Sequence, residues 1–251
     1  MKQRALVTGG SAGLGKALCK ALIEQGFEVT SIDRNAPEAN AHITFLPCDL
    51  ADRQSVDALL NRLGEKPPFD IVIFNAGISA TGKFEEISPQ AHMRVIRINA
   101  EAPMVLTAGL MASGKIAQGG HIAFVSSLSH FTGYPGAASY AASKDALAIY
   151  ANSIRKIFYK RHRIKVTTAF PGPLKTDHAA RHAPEGTSAD KRMEANAAAA
   201  LILADIFKGK PKALPGTSAR LFAILGKIAP KPMTLAMRKI IYEKLDKTVA
   251  D

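Results

Sequence analysis

The sequence predicts one α/β domain, a doubly wound parallel sheet with helices on both faces. Three observations carry this. Short β-branched runs alternate with segments of helical length through the first two-thirds of the chain. Runs such as Ile71 to Phe74 are apolar at every position, as expected of strands covered on both faces. The first run leads directly into a glycine-rich turn that opens a helical pattern.

In chain order, the strands are read at "RALVTG", "FEVTSID", "HITFLPCD", "FDIVIFNAG", "GHIAFVSS" and "RIKVTTAFPG". Parallel strands need long crossovers, and the intervening segments are long enough to supply helices. An alanine patch at Ala195 and Ala197 to Ala200 continues into "LILADIF" and reads as a further helix. Ligands of such a sheet belong at the C-terminal strand ends.

The 251 residues, 47% apolar, leave ample material for one core. Two cysteines, Cys19 and Cys48, sit in unrelated contexts without a C-x-x-C pair, which excludes a disulfide framework and fits a reducing cytoplasm. The N-terminal apolar run is too short for a signal segment, and no stretch of 18 consecutive apolar residues occurs, so a cytoplasmic protein is expected.

The turn "TGGSAGLG" places Gly9, Gly13 and Gly15 before the helix "KALCKALIEQG", with Ser11 and Leu14 between them. Glycines there let the backbone approach a pyrophosphate at a helix N-terminus, where free N–H groups favour negative charge. Asp33 ends the second strand, 18 residues beyond Gly15, in position to accept hydrogen bonds from ribose hydroxyls and repel a 2′-phosphate. This favours NAD, whereas the adjacent Arg34 could pair with the 2′-phosphate of NADP. In "SYAASK", Tyr140 and Lys144 share one helix face, where a cation can act on a phenol.

"TGGSAGLG", "NAG" at 75–77, "SS" at 126–127, "YAASK" at 140–144 and "PG" at 171–172 together resemble the short-chain dehydrogenase/reductase family in order and spacing, over roughly residues 3–176. The resemblance implies a Rossmann-type fold, NAD or NADP, and hydride exchange between an alcohol and a ketone or aldehyde. It implies that Tyr140 is the catalytic tyrosine, Lys144 the lysine that lowers its pKa and binds the nicotinamide ribose, and Ser127 the carbonyl-orienting serine. Asn99 in "RINAEAP" would help hold a relay water. Asn75, Ala76 and Gly77 would pass the adenosine, Asp49 and Leu50 would meet the adenine, and Pro171, Gly172 and Thr176 would form the turn beside the nicotinamide. Thr8 would tie the glycine turn to the "NAG" loop. The family also implies a homo-oligomer, a dimer or tetramer.

No metal is expected: His178 and His182 lie four apart in "DHAARHAPEG", read as a mobile loop over the substrate, without a clear third ligand. His121 and His130 read as a strand-edge and a substrate-loop residue.

The chain departs from the family pattern at its end. Residues 1–208 read as the Rossmann-type catalytic domain and 209–251 as a helical extension packed on it. Leu221, Phe222, Ile224, Leu225 and Ile228 form one apolar stripe, and Met237, Ile240, Ile241 and Leu245 another. The net charge of +12 lies wholly in residues 155–251, which carry 20 Lys+Arg against 8 Asp+Glu. The stripes either pack on the body or a subunit partner, or form a rim toward a membrane surface that admits an apolar, acyl-like small-molecule substrate. Nucleic acid is not an expected partner, because the basic stretch lacks a reading motif and aromatic interleaving. The competing functional readings are an NADP-dependent 3-ketoacyl-type reductase and a non-catalytic dinucleotide sensor.

Overall fold

A computed structural model describes residues 2–184, 192–245 and 247–251; the end of the "DHAARHAPEG" segment, Glu185 and Gly186, lies outside them. In chain order the elements are β1 Arg4–Thr8, α1 Gly13–Glu24, β2 Glu28–Asp33, β3 Ile43–Pro47, α2 Arg53–Gly64, β4 Phe69–Phe74, β5 Ala80–Thr81, α3 Pro89–Ile96, α4 Ala102–Ala112, β6 Ile116–Val125, α5 Ala138–His162, β7 Lys165–Ala169, β8 Leu174–Lys175, α6 Asp177–Arg181, β9 Met193–Glu194, α7 Ala195–Phe207, β10 Lys212–Ala213, α8 Thr217–Ile228, α9 Pro230–Ile240 and β11 Val249–Ala250.

Among the described residues, seven strands pair in parallel in the order β3-β2-β1-β4-β6-β7-β10. The order reverses between β1 and β4, which opens a crevice at their C-terminal ends. Alternation along each strand divides the core. Leu6, Val72, Phe74, Ile122 and Phe124 face Leu59 of α2, Leu106 of α4 and Leu147 of α5. Ala5, Val7, Ile71, Ile73 and Val125 face Leu18 and Leu22 of α1 and Ile202 and Ile206 of α7.

The seventh strand, only two residues long, lies at Lys212–Ala213. The boundary expected after residue 208 therefore does not separate sheet from extension. The run Pro89–Ala112 is long and apolar enough to cross a membrane by length and composition, but half of its most apolar window is buried in the fold. Between α3 and α4 this run passes through a π turn, Arg97–Glu101.

The extension folds back across the strand ends. β11 pairs antiparallel with β5, Val249 opposite Thr81 and Ala250 opposite Ala80. α8 docks through its small residues: Ala219, Ala223 and Gly226 are buried against Leu128, Phe131 and Phe170, and a Cβ on Gly226 would stand 2.7 Å from the Phe131 carbonyl oxygen. Leu221, Ile224, Leu225 and Ile228 point outward, Ile228 at 77% exposure. The expected stripe on α8 thus exists, but of it only Phe222 packs against the body.

Candidate active site

The glycine turn is built by close approach. Gly9 and Gly13 adopt positive φ, 71° and 52°. A Cβ on Gly15 would lie 1.8 Å from the Gly9 carbonyl oxygen, and one on Gly9 would lie 2.8 Å from Ala76 Cα. Asn75 closes this contact by donating Nδ2 to the carbonyls of Thr8 (3.1 Å) and Gly9 (3.2 Å), while Thr8 Oγ1 accepts from the amides of Asn75 (3.0 Å) and Ala76 (3.1 Å). The tie expected of Thr8 is present. The N-cap of α1 is Ala12, which offers no side-chain acceptor, and the first turn carries no acid. Its N–H groups and positive dipole end therefore fit a phosphate. Leu14 turns inward into the core.

Asp33, at the end of β2, accepts from the Ser11 amide (3.1 Å) and Ser11 hydroxyl (2.6 Å) with Oδ2, and from the Arg34 amide (2.7 Å) with Oδ1. Its charge is thereby fixed against the glycine turn, whereas the Arg34 side chain is exposed. Asp49 accepts from the Ala51 amide at 2.9 Å and pairs with Arg94 of α3 at 3.5 Å. Leu50 is buried beside a cavity of about 380 Å³. Thr176 caps α6 by accepting from the Ala179 amide at 3.2 Å, and its methyl faces Gly13. Pro171 and Gly172 pack on Leu128, whose amide donates to the Pro171 carbonyl at 3.3 Å.

The C-terminal ends of β4 and β6 bring Asn99, Ser127, Tyr140 and Lys144 together. Lys144 is 3% exposed and donates Nζ to the Val125 carbonyl at 3.0 Å. Burial lowers its pKa to about 8. A Cβ on Gly77 would stand 2.8 Å from that Nζ, so glycine at 77 leaves room for the ammonium. Ser126 anchors the same helix by donating to the Lys144 carbonyl at 2.8 Å. Ser127 accepts from the Ser129 amide at 3.2 Å.

Burial pushes the Tyr140 phenol above its ordinary value, and the nearby Ser127 hydroxyl opposes the rise. The expectation that Lys144 lowers this pKa is corrected here, because the ammonium lies 6.0 Å from the ring centroid and is bound to Val125 instead. Asn99 is fully buried in the π turn. Its Oδ1 accepts from the Ile78 amide, and its Nδ2 donates to the Ile78 carbonyl and the Ser143 hydroxyl, all at 2.9 Å. The Asn99 side chain thereby joins the segment after Gly77 to α5.

Sequence reasoning missed several groups. Tyr134 stands 6.3 Å ring to ring from Tyr140, its pKa pushed up to about 12 by burial. The only signal was a second tyrosine in "FTGYPGAASY". Tyr242 and Leu245 lie against Gly136, and Thr248 against Gly82, so the extension walls the cleft beside Tyr140. Of the segment read as a mobile loop, Asp177–Arg181 form the helical turn α6, and His182 beyond it is 7% exposed. It also has the third partner that was not expected: Asp251. His121 is buried inside the sheet against Thr167 at 2.8 Å, and burial holds its pKa at about 4, neutral at physiological pH. It is not an edge residue. His130 pairs with Asp145 beside Phe131 and Phe170.

Known proteins resemble this chain in sequence and in fold. The short chain dehydrogenase family model matches residues 3–186. An uncharacterized oxidoreductase of Myxococcus xanthus is 30% identical over 185 residues, covering 69% of this chain and 72% of the relative. Carbonyl reductase family member 4 of Xenopus laevis is 30% identical over 188 residues, covering 70% and 78%. A short chain dehydrogenase of Burkholderia cenocepacia, solved in complex with NADP, shares the fold with a TM-score of 0.76 at 23% identity, covering 94% of this chain and 97% of that one. The chain belongs to the short chain dehydrogenase family. It is an NAD(P)-dependent oxidoreductase acting on CH–OH groups.

Proposed function

We propose that Ser127, Tyr140 and Lys144 carry this chemistry on an apolar alcohol or carbonyl substrate, with NAD preferred to NADP. The observation that supports it is the Ser127 hydroxyl and Tyr140 phenol at the strand ends with the buried Lys144 ammonium, where an uncapped, glycine-lined helix N-terminus also opens. Gly9, Gly13, Gly15 and the α1 amides would hold the pyrophosphate, Asp33 the adenosine ribose, Asp49, Leu50 and Asn75 to Gly77 the adenosine side, and Pro171, Gly172 and Thr176 the nicotinamide side. When bound, the dinucleotide gives or takes a hydride at its nicotinamide ring.

Ser127 Oγ accepts from the Ser129 amide and keeps its own hydrogen as a donor, which would turn to a carbonyl oxygen placed beside Tyr140. Tyr140 Oη holds a proton across neutral pH and delivers it to that oxygen as negative charge develops. Lys144, mostly protonated at neutral pH and held at the Val125 carbonyl beside Gly77, would meet the nicotinamide ribose. Asn99 positions the segment after Gly77 against α5. In alcohol oxidation the same proton travels back, so that direction gains with rising pH.

Tyr242 and Leu245 beside the cleft favour an apolar substrate. The outward Leu221, Ile224, Leu225 and Ile228 favour peripheral contact with an anionic membrane surface, because residues 212–242 carry six Lys+Arg and no acid. Exposed Ile149 and Ile157 on α5 favour a homo-oligomer, and two free buried thiols favour a cytoplasmic setting. The runner-up, an NADP-dependent 3-ketoacyl-type reductase, draws on exposed Arg34.

Fluorescence titration with NADH and NADPH, on the native chain and Asp33→Ala, tests the reading. We expect NADH to bind at least tenfold more tightly and the variant to lose that margin. Tighter NADPH binding by the native chain transfers selection to Arg34, and binding of neither refutes the site.

A further inference from the structure

The extension returns to the site at one cluster. Asp251 Oδ2 lies 2.9 Å from His182 Nε2 and 3.1 Å from His178 Nδ1. The three ligating atoms lie within 4.8 Å of one another. Ligands of a tetrahedral zinc at about 2.0–2.1 Å stand about 3.3 Å apart, close to the two separations from the carboxylate. The surrounding contacts orient the groups as a metal shell would. Thr81 Oγ1 is 2.9 Å from His182 Nδ1, so this nitrogen can carry the proton and leave Nε2 as the donor atom. Arg181 engages the other carboxylate oxygen, Oδ1, at 3.3 Å. The Ser79 amide donates to Oδ2 at 3.1 Å and holds the carboxylate in place.

We propose that His178, His182 and Asp251 form a site for a divalent ion of zinc type that clips the C-terminal strap to the segment following Thr176. Two imidazole nitrogens and one carboxylate oxygen suit zinc and its borderline neighbours over magnesium or calcium, which prefer oxygen alone. The ion replaces the protons that otherwise join the histidines to the carboxylate. Its effect is on the wall of the cleft: β11 is held against β5, and α6 against both.

The test uses the full chain, stripped with chelator and titrated with Co²⁺ as a visible probe, then with Zn²⁺. The proposal requires about one Co²⁺ per chain with the intense visible bands of a tetrahedral site, displacement by Zn²⁺, and a rise in Tm on loading. Because His182 is buried and its variant could fail to fold, the decisive variants are His178→Ala, at a partly exposed position, and Asp251→Asn. Each should weaken uptake at least tenfold with an unchanged circular dichroism spectrum. Absence of uptake by the native chain, or undiminished uptake by either variant, overturns the proposal. NADH titration of the same samples reports separately on the dinucleotide site, so failure of one reading is distinguishable from failure of the other.

Discussion

Helices α1 and α8 are both twelve residues long and both amphipathic, yet they are used in opposite ways. α1 buries Leu14, Leu18 and Leu22 and leaves its N-terminus open, so it acts through its end. α8 buries Ala219, Ala223 and Gly226 and turns Leu221, Ile224, Leu225 and Ile228 outward, so it acts through its flank. Periodicity identifies a helix with an apolar stripe, but it does not say whether that stripe faces the core. The small residues opposite the stripe were the overlooked signal, because they let backbones approach closely.

The comparison can be broken most severely at its glycines. Gly15→Ala drives a Cβ into the Gly9 carbonyl, a rigid backbone group, and should cost on the order of 3 kcal/mol or more and abolish NADH binding. Denaturant melts and titration read both effects.

The flanks should then separate by substitution. Leu18→Ala, at a fully buried site, should cost about 2–5 kcal/mol. The paired change Leu221→Gln and Ile228→Gln on the exposed flank should leave stability within about 0.5 kcal/mol per site. The same pair should remove sedimentation with anionic vesicles. A large loss of stability in the pair would show that the flank is covered in solution by another copy of the chain.

A smaller, pH-dependent effect comes from the buried ammonium. Its folded pKa, about 8, lies below the ordinary 10.5, so between these values the unfolded chain binds more protons and stability rises with pH. The native chain should gain up to about 3 kcal/mol across that window relative to Lys144→Met. Equal slopes would place the ammonium in water.

Much of the fold was legible because its signals are local. The fully apolar "IVIF" run, the glycine turn and the helical spacing of Tyr140 and Lys144 each state their structure within a few residues. What stayed hidden depends on distance or context. Strand β10 is two residues long and is a strand only because β7 lies beside it. Asp251 meets His182 across 69 residues, which no spacing rule reaches. The phenol's environment was misjudged for a related reason: helical spacing places Lys144 near Tyr140, but burial and the Val125 carbonyl decide what each group does.

In the proposed reaction, Tyr140 is the group that moves the proton. Its direct measurement is turnover by Tyr140→Phe, on whichever alcohol or carbonyl compound the native chain converts, with NADH affinity determined on the same sample. A fall in kcat of about 10²–10⁴-fold with NADH affinity held within threefold is the predicted result. Turnover within tenfold of native, with the cofactor still bound, would contradict it.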